Sequence, residues 1–333
     1  MKHITAALFV PHKGCPHQCV FCNQKSISGE TKSITAADVH SAVADAEKNH
    51  TVENAEIAFF GGSFTAIPRD YMLELLSAAK GHIDGSKFTG IRISTRPDAI
   101  DREICEILKE NKVTAVELGA QSMNDRVLLL NRRGHTVKDI ENAMALLKEY
   151  GFETGLQMMT GLYGSDENES IETAEAIIKL RPDTVRIYPT VVIENTPLAE
   201  LYRSGEYKAQ TVSDAADICA RLILMFEKEN IKIIRVGLHS GGGVDEGYVA
   251  GAFHPAFKEI CESRIYFGEM KKQLQNKTGS FTVYVPKGAT SQAVGQKKEN
   301  INKLRALGCE CRIKELDELS KYQVLVKDIE YDT

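Results

Sequence analysis

Short runs rich in β-branched and apolar residues alternate with longer stretches of helical period from Ile4 to Gly237, and this regularity constrains the fold more than any other feature. Strands are expected at Ile4–Val10, Ala55–Phe60, Gly90–Ser94, Thr114–Leu118, Thr154–Met159 and Thr184–Tyr188, with Lys232–Gly237 as a seventh. Helices are expected near Ala36–Lys48, Arg69–Ala79, Asp101–Asn111, Val137–Tyr150, Glu169–Leu180 and Ser213–Glu229. Thr35 and Ser213 stand where N-caps belong, and Gly151 follows Tyr150 as a helix stop. Regular β–α alternation implies parallel strands joined by helical crossovers. Six or seven such units suit a full or incomplete (β/α) barrel, with an open doubly wound sheet as the rival. In either fold the active-site mouth is built from segments that follow the strands. Four of these are polar or Gly-rich: Pro11–Cys22, Gly61–Ile67, Thr95–Asp98 and Gly119–Ser122.

The alternation stops at the Gly-rich stretch beginning His239–Ser240–Gly241–Gly242–Gly243. Residues 1–238 are therefore expected to form the β/α unit, 239–270 a linker and barrel-closing segment, and 271–333 a small α+β unit. In the last, Phe281–Val285 alternates as a strand, Ser291–Leu307 reads as helix, turn and helix, and Cys311–Ile313 as a closing strand. Charge changes there too. Lys271 to Lys314 contains ten Lys or Arg against two acids, Glu299 and Glu310, while the rest of the chain carries 31 basic and 44 acidic residues. A basic appendage on an acidic body suits an anionic partner, with a solvated basic face as the plain alternative. At 43% hydrophobic and 26% charged residues, disorder and low complexity are excluded. No apolar run approaches the roughly 20 residues of a membrane span, and the N-terminus lacks a secretion-signal pattern, so a cytoplasmic location is expected.

Of eight cysteines, Cys15, Cys19 and Cys22 crowd into one loop after the first strand. A tight cluster in a large chain points to metal rather than disulfides. Three thiolates from one loop can hold three corners of a cubic iron–sulfur cluster and leave one iron open; zinc, with His12 or His17 as fourth ligand, is the alternative. Cys309 and Cys311 lie two apart on an expected strand and face one way, either to ligate a metal or supply a hydrogen atom, or, as favoured here, to pack.

Cys15-x-x-x-Cys19-x-Phe21-Cys22 resembles the signature of radical S-adenosylmethionine (SAM) enzymes. The resemblance implies a 4Fe–4S cluster whose open iron chelates SAM, and reductive cleavage of SAM to a 5′-deoxyadenosyl radical. Further segments narrow it: FFGGSFTAI (Phe59–Ile67), STRPD (Ser94–Asp98), ELGAQS (Glu117–Ser122), NRRGHT (Asn131–Thr136), MMTGLYGSD (Met158–Asp166) and RIYPTVV (Arg186–Val192). In this order they are similar to the radical SAM domain of the Elongator catalytic subunit family over about residues 5–266. That likeness implies a partial (β/α)6-type TIM barrel. It places Phe21, Gly61, Gly62, Ser63 and Thr95 around SAM, Gln121 on its ribose, Arg133 (with Arg132 as rival) on its carboxylate, and Gln157 as a further polar contact. Unlike Elongator, no acetyltransferase domain is expected here, and the cysteine loop is shorter than the usual Elongator version.

The basic appendage resembles a small KH-like RNA-binding fold, with Val294–Ile301 in the place of the backbone-clamping loop. The second loop glycine is replaced by Lys298. Gly295, Lys297, Lys298, Lys303 and Arg305 are its expected RNA contacts, and Ala293, Val294, Ile301 and Leu304 its packing residues. His239 and His254 flank the Gly-rich stretch near the expected mouth. The sequence thus reads as a radical SAM enzyme that modifies tRNA or rRNA and draws electrons from an outside donor such as flavodoxin or ferredoxin. The alternatives are a coproporphyrinogen oxidase-like enzyme acting on a small molecule, and a non-enzymatic, metal-stapled RNA-binding protein.

Overall fold

A computed structural model describes residues 3–10, 18–23, 33–48, 54–83, 87–238 and 247–328. Strands β1 (His3–Val10), β2 (Asn54–Gly61), β3 (Phe88–Thr95), β4 (Val113–Gln121), β5 (Glu153–Thr160), β6 (Thr184–Pro189), β7 (Val191–Ile193) and β8 (Lys232–Val236) follow the expected order. All but β7 join one parallel sheet in the order β1-β2-β3-β4-β5-β6-β8. A doubly wound sheet reverses its strand order partway; this one never does, and it curls into a half-barrel with β1 and β8 at its edges. The strand expected as a seventh is its last member. A short ribbon of β7 with β9 (Tyr248–Gly251) lies apart from it.

Helices α1 (Ala36–Glu47), α2 (Arg69–Lys80), α3 (Arg102–Glu110), α5 (Val137–Glu149), α6 (Glu167–Leu180) and α8 (Val212–Lys228) make the crossovers. The short helices α4 (Asp125–Leu130) and α7 (Pro197–Ser204) are additions that the periodicity did not show. Strand alternation separates two faces. Leu8, Ile57, Phe59, Ile91, Ile93, Val116, Leu118, Leu156, Met158, Val185 and Ile187 pack into the main hydrophobic core with the helices. Their neighbours Phe9, Phe60, Arg92, Glu117, Gln157 and Arg186 turn to the opposite, concave face. The cap of α8 is Thr211 rather than Ser213: Thr211 and Asp214 form a reciprocal capping box, which starts the helix one residue earlier than expected.

Within the segment expected as linker and barrel-closing piece, Phe257–Gln273 form a 17-residue helix, α9, and His254 belongs to the turn before it, its Nδ1 accepting from the Ala256 amide at 3.0 Å. His239 lies outside the described residues. Beyond α9 come β10 (Gly279–Val285), α10 (Thr290–Val294), α11 (Glu299–Ala306), β11 (Cys309–Glu315) and β12 (Leu325–Asp328). β11 runs parallel to β10 on one side, and β12 antiparallel on the other. Phe226 of α8, Cys261, Tyr266 and Met270 of α9, Phe281 and Val283 of β10 and Leu304 of α11 all belong to the same core as the barrel. Cys309 is buried and donates to the Lys277 carbonyl at 3.2 Å; burial pushes the half-buried Cys311 thiol up to about 11. Both pack, and Cys311 is not poised as a thiolate.

Candidate active site

The cysteine loop is fixed by its middle. Val20 donates its amide to the Asn131 carbonyl at 3.3 Å and accepts at its own carbonyl from the Leu198 amide at 2.8 Å. Its side chain is buried with Val192, Leu198, Ala199 and Tyr207, with Phe21 packed alongside. Cys19 and Cys22 are thereby held at the C-terminal ends of the strands. Cys15, with His12 and His17, lies outside the described residues.

The segments after β2 and β3 are tied together beside this loop. The Thr65 and Thr95 hydroxyls are 2.6 Å apart, and Thr65 Oγ1 also donates to the Ala99 carbonyl at 2.6 Å. Gly61, at φ +109°, runs so close to β1 that a Cβ would lie 2.6 Å from the Val10 carbonyl oxygen, so no other residue fits there without moving a strand. At the end of β4 the pairing register shifts between Leu118 and Gln121, and Gln121 takes φ +69°; the irregularity turns its side chain into the mouth. Arg133 is aimed by the end of α4. There Arg132 adopts φ +53°, the Arg133 amide donates to the Leu128 carbonyl and the Arg132 amide to Leu129. This left-handed helix stop turns Arg132 out to solvent and Arg133 inward.

The result is a cleft, open to solvent, lined by all eight residues expected around SAM: Phe21, Gly61, Gly62, Ser63, Thr95, Gln121, Arg133 and Gln157. Cys19 and Cys22 line it as well. Arg133 donates from Nη1 to Cys19 Sγ at 3.1 Å and from Nη2 to the Gly119 carbonyl at 2.7 Å, with its Cζ 6.0 Å from the Phe21 ring centre. Gln18, Ser94, Arg96 and Gly119 complete the lining. These four had not been singled out as contacts, although each falls in or beside a marked segment. Arg96 is held by a two-point pair with Asp98 at 2.7–2.8 Å.

The cleft fits a polar cofactor held on thiolates. Gln121 Oε1 and Arg133 Nε are buried without a hydrogen-bond partner among the described residues. Leaving such groups unpaired is costly, so a ligand that pairs them is expected. A Cβ on Gly119 would come within 3.0 Å of Gln121 Nε2 and 3.3 Å of Arg133 Nη2; glycine there keeps the cradle open. Two thiols beside an arginine and an amide suit an anionic iron–sulfur cluster carrying an amino-acid ligand.

Below the cleft lies a charge network that sequence inspection missed. Glu117, 1% exposed, takes hydrogen bonds from Arg186 Nε at 2.5 Å, Arg186 Nη2 at 2.8 Å and Gln157 Nε2 at 3.1 Å. Arg92 faces it at 3.6 Å and pairs with Glu56 at 3.0 Å and Glu153 at 2.9 Å. The partners come from β2 to β6, distant in sequence, and only the inward alternation of each strand brings them together.

His135 supports Arg133 from behind. It is buried, with Nε2 3.3 Å from the Ala120 carbonyl, and burial, aided by the Arg133 charge, pushes its pKa down to about 4. Below the ordinary pKa of 6.5 the unfolded chain therefore binds a proton that the folded chain refuses. Stability is expected to be flat above pH 6.5 and to fall as pH drops from 6.5 towards 4, by up to roughly 3 kcal/mol. Urea midpoints at pH 7.5 and 5 for the parent and His135→Gln check this: the variant should lose most of the pH difference.

In the C-terminal unit, Gly295 (φ +77°), Lys297 (φ +50°) and Lys298 (φ +62°) form a sharp turn between α10 and α11. Buried Asn300 anchors it, donating from Nδ2 to Ser263 Oγ of α9 at 2.9 Å and to the Ala293 carbonyl at 3.1 Å. Lys297 and Lys298 are exposed. Lys303 and Arg305 are not free cations: Lys303 pairs with Glu299 at 2.6 Å and Arg305 with Glu310 at 2.6 Å. The charge count also softens, since residues 315–333 add two basic and six acidic residues.

The radical SAM superfamily model matches residues 9–177, and the radical SAM C-terminal domain model residues 182–266. Human Elongator complex protein 3 is 30% identical over 269 residues, covering 67% of this chain and 49% of that protein. The tRNA uridine(34) acetyltransferase of Methanocaldococcus jannaschii is 30% identical over 257 residues, covering 65% and 47%. The chain thus spans about half the length of these curated relatives. The archaeal Methanocaldococcus infernus Elp3 structure superposes with a TM-score of 0.63 at 23% identity, over 82% of this chain and 64% of that one. Among the described residues, no helix is long and apolar enough to cross a membrane.

Proposed function

The chain belongs to the radical SAM superfamily, whose cofactors are a 4Fe–4S cluster and SAM, and we propose that it uses them to modify RNA, tRNA or rRNA, in the cytoplasm. When bound, the cofactors supply one-electron reductive cleavage of SAM and a carbon radical that removes hydrogen from a substrate. Cys15, Cys19 and Cys22 would hold the cluster. Arg133, already against Cys19, would pair with the SAM carboxylate, Gln121 Oε1 would accept from a ribose hydroxyl, and Gly61, Gly62, Ser63, Thr95 and Gln157 would form the wall around it. Electrons come from a small reducing protein of the flavodoxin or ferredoxin kind.

The observation that carries the RNA reading is the Gly295–Lys298 turn, which presents two exposed cations on rigid backbone between two helices in a strand–helix–helix–strand unit. The likeness to the tRNA uridine(34) acetyltransferase of Methanocaldococcus jannaschii points the same way. The tighter reading is that Lys297 and Lys298 contact phosphates, with Lys303 and Arg305 contributing only if their acids release them. Lys297→Glu with Lys298→Glu is expected to weaken tRNA binding by tenfold or more and to lower the salt slope by about two, with an unchanged melting temperature. A parent protein that binds tRNA no better than this variant defeats the reading.

A further inference from the structure

We propose that Phe9 and Phe60 form a stacking shelf at the open edge of the half-barrel that receives one unpaired base of a single-stranded nucleic acid, next to the SAM cleft. The inference rests on the RNA reading above and adds the place where the reacting base is held. Phe9 and Phe60 are register partners on β1 and β2, so they face the same side, and that side is the concave one. Their ring centres are 6.3 Å apart at 48°. Phe9 is 41% exposed, high for a phenylalanine. Its strand β1 is an edge strand of the sheet among the described residues.

Three features make the shelf suit a planar heteroaromatic ring rather than an aliphatic group. Arg186 lies over the Phe60 ring, its Cζ 5.1 Å from the centre, and fixes that ring in place. The same guanidinium uses Nε and Nη2 on Glu117 but leaves Nη1 with only a 3.5 Å contact to the Tyr188 hydroxyl. A donor thus stands beside the Phe60 ring. The shelf also runs directly into the cleft: Gly61 and Gly62, the residues after Phe60, line it, and Gln157 joins both, lining the cleft while donating to Glu117. Base–aromatic stacking is sequence-tolerant, so specificity falls to Arg186 and the cleft wall.

The test uses the full chain, which contains no tryptophan. Anisotropy titrations compare the parent, Phe9→Ala and Phe9→Trp against a single-stranded RNA heptamer and the same heptamer with one abasic position. The expected result is roughly tenfold weaker binding by Phe9→Ala. Phe9→Trp should bind like the parent, with its indole fluorescence quenched by the heptamer, and the parent should lose about as much affinity on the abasic heptamer as Phe9→Ala loses on the intact one. Parent-like binding by Phe9→Ala, or an unquenched Phe9→Trp that binds, overturns the shelf and leaves the RNA reading standing. Absence of RNA binding by the parent overturns both.

Discussion

Cys19→Ala is expected to purify without its iron–sulfur cluster and to form no 5′-deoxyadenosine above background when given dithionite and SAM without oxygen. Cys19 is held firmly: it is buried, takes a hydrogen bond from Arg133 at 3.1 Å, and adjoins Val20, which is bonded on both sides. A sulfur pinned this way cannot be replaced by a neighbour swinging in. Cys105→Ala is the control, because that thiol is buried in the barrel core and burial, first of all, pushes its pKa up to about 11. Iron and sulfide content with chromatography of the adenosine products decides the matter, and a Cys19→Ala protein that retains its cluster refutes the site.

Glu117→Ala is expected to cost about 3–5 kcal/mol. Removing that carboxylate strands Arg186 and leaves Arg92 facing an empty position, while Gln157 loses its acceptor. The cost lies in uncompensated burial rather than in the intrinsic worth of the pair. Glu117→Met combined with Arg186→Leu should therefore recover much of the loss. Urea denaturation of the two variants and the parent measures it; a Glu117→Ala protein within 1 kcal/mol of the parent would show that water reaches the network.

The barrel was legible because its strands and crossover helices each bury one side, which leaves period two and period 3.6 in the sequence. Helix α9 was not. Its buried residues, Phe257, Cys261, Ser263, Ile265, Tyr266 and Met270, serve α8 on one side and the C-terminal sheet on another, so no single apolar stripe appears. The cleft residues could be marked from motifs, yet their aim could not: it depends on left-handed backbone at Arg132 and Gln121, positions where glycine would ordinarily advertise it. The Glu117 network left no local trace, since its members are joined only across strands. Phe9 read as one more apolar residue of an ordinary strand, because nothing local reveals that its strand lies at the sheet's edge among the described residues.

The continuity of the core through α8, α9 and β10 bears on how the protein can be dissected. The appendage is not a bead on a string. Severing the chain after α9 would lay bare the flank on which Cys261, Tyr266 and Met270 rest, and the barrel's outer layer would melt together with what was removed. Gain or loss of the C-terminal unit therefore demands compensating change on the barrel's back, so the two halves are bound to vary in concert.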